Sequence, residues 1–194
     1  MSSVGIVTGL AWTAMGRATP QRQSQPSSYQ ERGFKLTGRL SEVMQESANI
    51  AYSYLSTHLE EYQTDPKFFY EAFVHMHVSK GVTLKNGSSA GITVATALLS
   101  LARSQQTKRP LVTISELILT GQVTPAGGIH EKLIAACRVG AHEIILPEGR
   151  RGDAEELPDY LKEGVTLHFV ERFRQVVDCV FTPCASALGG SGLE

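Results

Sequence analysis

Gly87-Ser88-Ser89-Ala90-Gly91, followed without a break by the apolar run Ile92-Thr93-Val94-Ala95-Thr96-Ala97-Leu98-Leu99, is the stretch on which the fold turns. A run of that length and polarity predicts a buried helix extending to about Arg103, with Ser89 at its start. Helix starts leave backbone N–H groups unpaired and carry the positive end of the helix dipole. A serine there either caps the helix or lies where an anion, or the oxyanion of an acyl-transfer intermediate, is stabilised. A second segment, Gly127-Gly128-Ile129-His130-Glu131-Lys132-Leu133-Ile134-Ala135-Ala136, sets Lys132 in the first turns of another helix among Leu, Ile and Ala. Apolar burial and a helix N-terminus both disfavour the ammonium form. A lysine neutral near pH 7 can take a proton from a serine hydroxyl, whereas a snorkelling lysine with a packed stem cannot.

Working outward, Ser41 to about Leu59 repeats apolar residues every three or four positions and predicts a helix. Phe73 to Val78 alternates like a half-buried strand, which puts His75 and His77 on one face. Two short strands, about Ile114–Leu119 and Gln122–Thr124, precede the lysine helix, which runs from Ile129 to about Arg138. Beyond it come a buried strand Glu143–Leu146 ending at Pro147, a turn at Gly149–Gly152, a strand Leu167–Val170 and an amphipathic helix Phe173–Val180. At the other end, Val4 to Trp12 reads as an opening strand. Residues 17–32 are polar and rich in Gln, Ser and Pro, with no periodicity, and read as a loop or disorder. Residues 182–194 read as a flexible tail. Helices mixed with adjacent strands make the class α+β, a single domain over 1–181.

With 194 residues, 42% of them hydrophobic, and a net charge of -1, the chain suits a globular domain and not a nucleic-acid binder, which needs a clustered basic face. No apolar run reaches the roughly 18 residues of a membrane span. Met1 to Met15 has no basic residue and does not read as a signal peptide. The three cysteines lack metal-like spacing and suit a reducing, intracellular setting. His75 and His77 could begin a metal site, but no third ligand stands near them in sequence, and none is expected.

Gly9-Leu10-Ala11-Trp12, Leu36-Thr37-Gly38-Arg39-Leu40, Val43-Met44-Gln45-Glu46-Ser47-Ala48, Ser89-Ala90-Gly91 and Gly127 to Leu133 stand in an order that resembles the C-terminal proteolytic domain of the ATP-dependent Lon serine proteases. The resemblance runs from about Gly5 to Phe181, interrupted at 17–32. It implies the Lon proteolytic fold, with mixed sheet elements and packed helices, and a Ser89–Lys132 dyad cleaving unfolded or damaged proteins. It implies Ser88, Ala90, Asn86, Glu116, His75 and His77 as supporting or groove-lining residues. It also implies a homo-hexamer whose substrates are threaded in by an ATPase module, in cis or in trans. ATP and Mg²⁺ belong to that module, and this chain has no GxxxxGK[ST] loop, so no cofactor is expected in it. Cytoplasm or mitochondrial matrix ranks ahead of the peroxisome, since the end Gly192-Leu193-Glu194 is not a peroxisomal address.

The chain departs from the family near the dyad. Asp-Gly-Pro-Ser-Ala-Gly stands here as Asn86-Gly87-Ser88-Ser89-Ala90-Gly91, and Thr-Gly-Glu stands as Ile114-Ser115-Glu116. The second change removes a threonine hydroxyl that the family keeps near the lysine. In 17–32 the family's apolar strand has no counterpart in the side-chain pattern. These departures set a rival reading beside the peptidase: a degenerate, inactive copy serving as an assembly or interaction module.

Overall fold

A computed structural model describes residues 17–21, 33–38, 40–77, 90–107, 112–127, 129–138, 141–156 and 158–181. The strand expected in 4–12 and the tail 182–194 lie outside the described residues. The described chain is α+β, as its sequence predicts, with strands β1 (Arg17–Gln21), β2 (Gly33–Thr37), β3 (Phe73–His77), β4 (Val112–Thr113), β5 (Ser115–Leu117), β6 (Val123–Pro125), β7 (Glu143–Pro147) and β8 (Thr166–Val170). The helices are α1 (Glu42–His58), α2 (Phe68–Glu71), α3 (Ala90–Ala102), α4 (Ile129–Arg138), α5 (Arg151–Glu155), α6 (Asp159–Lys162) and α7 (Phe173–Phe181).

Helix α3 is the axis of the molecule. Every residue from Ala90 to Leu101 is buried, as expected of a helix that is apolar all round. Helix α1 packs along it through Ala48, Ala51, Tyr54 and Leu55, the three- and four-residue spacing that the sequence displays. Ser41 starts α1 in extended conformation and accepts a hydrogen bond from the Met44 N–H at 3.3 Å, pairing one donor that the helix itself cannot satisfy. The same core takes in Val74 and Met76 from β3 and Val176, Val177 and Val180 from α7.

In the first sheet β3 lies between β1, antiparallel to it, and β2, parallel to it. Val74 and Met76 face the core beside Phe34 and Leu36, so His75 and His77 stand on the outer face with Lys35 and Thr37 opposite them on β2. The second sheet is parallel, in the order β4-β7-β8, and β5 and β6 form a separate antiparallel hairpin. Strand β7 is buried from end to end. Its Ile145 joins the α1–α3 core, while Ile144 and Leu146 join a second core with Val112, Ile114, Leu133, Ala136 and Ala154. A strand covered on both faces needs a continuous apolar run, and Ile144-Ile145-Leu146 is one.

Two readings of the sequence are corrected. The polar stretch 17–32 begins with a strand: Arg17–Gln21 pairs with all five residues of β3. Backbone hydrogen bonding to a central strand needs no side-chain pattern, and β1 lies at a sheet edge, where Pro20 is tolerated. Residues 22–32 lie outside the described residues. The turn expected at Gly149–Gly152 is a 3-10 turn, Glu148–Arg150, running into α5. Arg151 donates to both carboxylate oxygens of Glu148, at 2.7 and 3.0 Å, Arg150 donates to Asp153 at 3.0 Å, and Ala154 anchors the helix in the second core. Charge pairs three residues apart support a helix through two glycines that locally favour a turn.

Candidate active site

Lys132 occupies the first turn of α4, whose Leu133 and Ala136 are buried in the second core and fix the helix against that sheet. The lysine is partly buried, its Nζ is enclosed, and it has no hydrogen-bond partner among the described residues. Burial pushes its pKa below the ordinary lysine value, because a cation loses solvation there. The carboxylates of Glu116 and then Glu131 pull the other way by stabilising the cation, and burial prevails. The site thus holds an amine less basic than usual, with a carboxylate on a neighbouring element.

Glu116 sits on β5 between two buried neighbours, Ser115 and Leu117, which share the opposite face of the strand. Strand β5 lies beside the start of α3: a methyl group on Gly91 would stand 3.5 Å from Leu117 Cβ and 3.5 Å from the Ser47 carbonyl oxygen. Within the same turn Thr93 Oγ1 lies 3.2 Å from Thr113 Oγ1, tying α3 to β4. Ala90 packs with Met44 and Leu40 in a small apolar cluster at the mouth of the helix. The element carrying Glu116 is therefore fixed next to the helix end that Ser89 precedes. Ser89, Ser88 and Asn86 themselves lie outside the described residues. Where the family has glycine, the Ser115 hydroxyl is fully buried and without a partner among the described residues.

His75 and His77 form a second group, on the outer face of the β1-β3-β2 sheet. Thr37 Oγ1 lies 2.9 Å from His75 Nε2 and 2.9 Å from His77 Nδ1. Thr37 belongs to a motif visible in the sequence, but its place between the two rings depends on the β2–β3 register, which local pattern does not encode. Among the described residues no group of three or more His, Cys, Asp or Glu side chains is arranged to hold a metal ion. Two open clefts, of about 560 and 390 Å³, lie elsewhere and have neither Lys132 nor Glu116 in their walls.

A family model described as the Lon protease (S16) C-terminal proteolytic domain matches residues 1–183. The chain belongs to that family. Lon protease 2 of Hydrogenovibrio crunogenus is 58% identical over 92% of this chain, and Lon protease 1 of Syntrophotalea carbinolica is 51% identical over 91%. The mitochondrial Lon protease homolog of Mus musculus is 44% identical over 91%. The matches cover 20%, 22% and 20% of those three proteins, so this Lon-family chain spans about a fifth of the length of the relatives it matches.

Proposed function

We propose that this Lon-family domain is a serine endopeptidase in which Ser89 is the nucleophile and Lys132 the general base. The observation that carries the reading is the enclosed Nζ of Lys132, without a hydrogen-bond partner among the described residues and of depressed basicity, held beside the element that flanks the start of α3. Neutral Lys132 takes the Ser89 hydroxyl proton as Oγ bonds to the peptide carbonyl carbon. The resulting oxyanion lies at the N-terminus of α3, where backbone N–H groups favour negative charge. Collapse of the adduct breaks the C–N bond, and Lys132 passes the proton to the leaving amine. A water, deprotonated by the same lysine, then hydrolyses the acyl-enzyme and frees Ser89. Asn86, Ser88 and Ala90 shape the approach to Ser89, Glu116 adjusts Lys132, and His75 and His77 line the groove.

The substrates in this reading are unfolded polypeptides and the working assembly is a homo-hexamer. ATP and Mg²⁺ are handled by an ATPase module, in cis or in trans. A bacterial cytoplasm or a mitochondrial matrix fits the sources of the relatives. No helix among the described residues is long and apolar enough to cross a membrane.

Casein incubated with the purified chain tests the chemistry. Cleavage is expected to fall by about three orders of magnitude or more in Ser89→Ala and Lys132→Ala, because each removes a member of a unit that works together. Lys132→Arg is expected to be equally inactive, since a guanidinium stays protonated and cannot act as a base. Retained activity in Lys132→Arg, or no cleavage by the folded parent chain, overturns the dyad.

A further inference from the structure

The Thr37 hydroxyl has one proton and two ring nitrogens at 2.9 Å, His75 Nε2 in the partly buried contact and His77 Nδ1 in the exposed one. Three proton arrangements exist for two neutral imidazoles. If both facing nitrogens are bare, the hydroxyl can donate to only one of them. If both carry hydrogen, two N–H dipoles converge on one oxygen and the hydroxyl proton goes unused. When one donates and the other accepts, an N–H···O–H···N chain forms, both contacts are hydrogen bonds, and each strengthens the other.

The third arrangement has a consequence set by which atoms are in contact. The rings meet Thr37 through unlike nitrogens, Nε2 on His75 and Nδ1 on His77, so a donor–acceptor chain requires the same tautomer in both rings. Both are then Nε2–H, or both are Nδ1–H. In either case the two nitrogens turned away from Thr37 are one bare acceptor and one N–H donor. We propose that Thr37 is a positioning residue that locks His75 and His77 into one shared tautomer, so that the pair presents one donor and one acceptor to an extended peptide. An N–H and a C=O are what the edge of such a peptide offers in return. The peptide as ligand rests on the peptidase reading above; the shared tautomer rests on the three side chains alone. His77 is exposed and His75 is partly exposed on a face whose reverse side, Val74 and Met76, is buried, so the pair stands at the surface of a strand anchored in the core.

Nitrogen-15 spectra of the imidazoles in the labelled full chain, beside Thr37→Val and Thr37→Ser, test the assignment. The parent is expected to show a single tautomer in each ring, the same in both. Thr37→Val keeps the shape and removes the hydroxyl, so the rings are expected to lose that agreement. For a peptide substrate, KM is expected to rise roughly five- to tenfold with kcat within about twofold, the scale of one lost alignment in binding. Thr37→Ser is expected to restore both readouts. Opposite tautomers in the parent overturn the proposal, as do parent-like spectra and parent-like KM in a folded Thr37→Val. If the parent cleaves no substrate the peptidase reading falls, and the tautomer spectra alone then decide the role of Thr37.

Discussion

Lys132 is governed by a contest between burial, which disfavours its cation, and two carboxylates, which favour it. Glu116 is the stronger of the two opponents and sits on a different element, so it can be removed without touching α4. In Glu116→Gln the cation loses its main support and the pKa of Lys132 falls further. The base form is then populated at lower pH, and the acidic limb of the kcat/KM profile is expected to move to lower pH. A limb that stays in place, or moves to higher pH, would show that Glu116 does not act on the lysine. Lys132 was legible in the sequence because its apolar neighbours and helix position already imply a depressed pKa. Thr37 was not, because nothing local to it announces two histidines some forty residues along the chain.

Among the elements, the β5–β6 hairpin is where backbone geometry is least negotiable. Gly121 has φ +76, and a Cβ there would lie 2.6 Å from the Tyr54 hydroxyl oxygen and 2.7 Å from two of its ring carbons. Tyr54 cannot retreat easily: its hydroxyl shares a 2.5 Å hydrogen bond with Tyr62, and its ring packs edge-on against Phe173. Gly121 also accepts from the Phe173 N–H at 2.9 Å, linking the hairpin to the start of α7. Gly121→Ala is expected to destabilise the chain by about 2–4 kcal/mol, combining a left-handed backbone with overpacking. Urea denaturation measures it, and a loss under about 1 kcal/mol would contradict the account. The elements best read from sequence, α1, α3, β7 and α4, are those whose own side chains carry the pattern. Strand β1 and helix α5 escaped because tertiary neighbours decide them: β3 supplies the pairing for Arg17–Gln21, and the second core takes up Ala154 of Arg151–Glu155, which local ion pairs also support.

For the whole molecule, the two cores meet across β7, which gives Ile145 to one and Ile144 and Leu146 to the other. Lys132 is held by the second core, and the helix start behind Ser89 is held by the first. Their relative position therefore depends on that shared sheet and on the β5 strand beside α3. If the proposed hexamer forms from this chain, light scattering on the purified protein is expected to give six times the chain mass. A monomer at every concentration would place the assembly determinants elsewhere in a longer protein. The sequence by itself determined the α+β class, the central helix, the lysine helix and the family, because hydrophobic period and ordered motifs are written along the chain. Only the tertiary structure decided that Arg17–Gln21 is a strand, that Glu116 bears on Lys132 and that one threonine joins two histidines. Those facts arise from strand register and from burial, which bring together residues that have no common pattern in sequence.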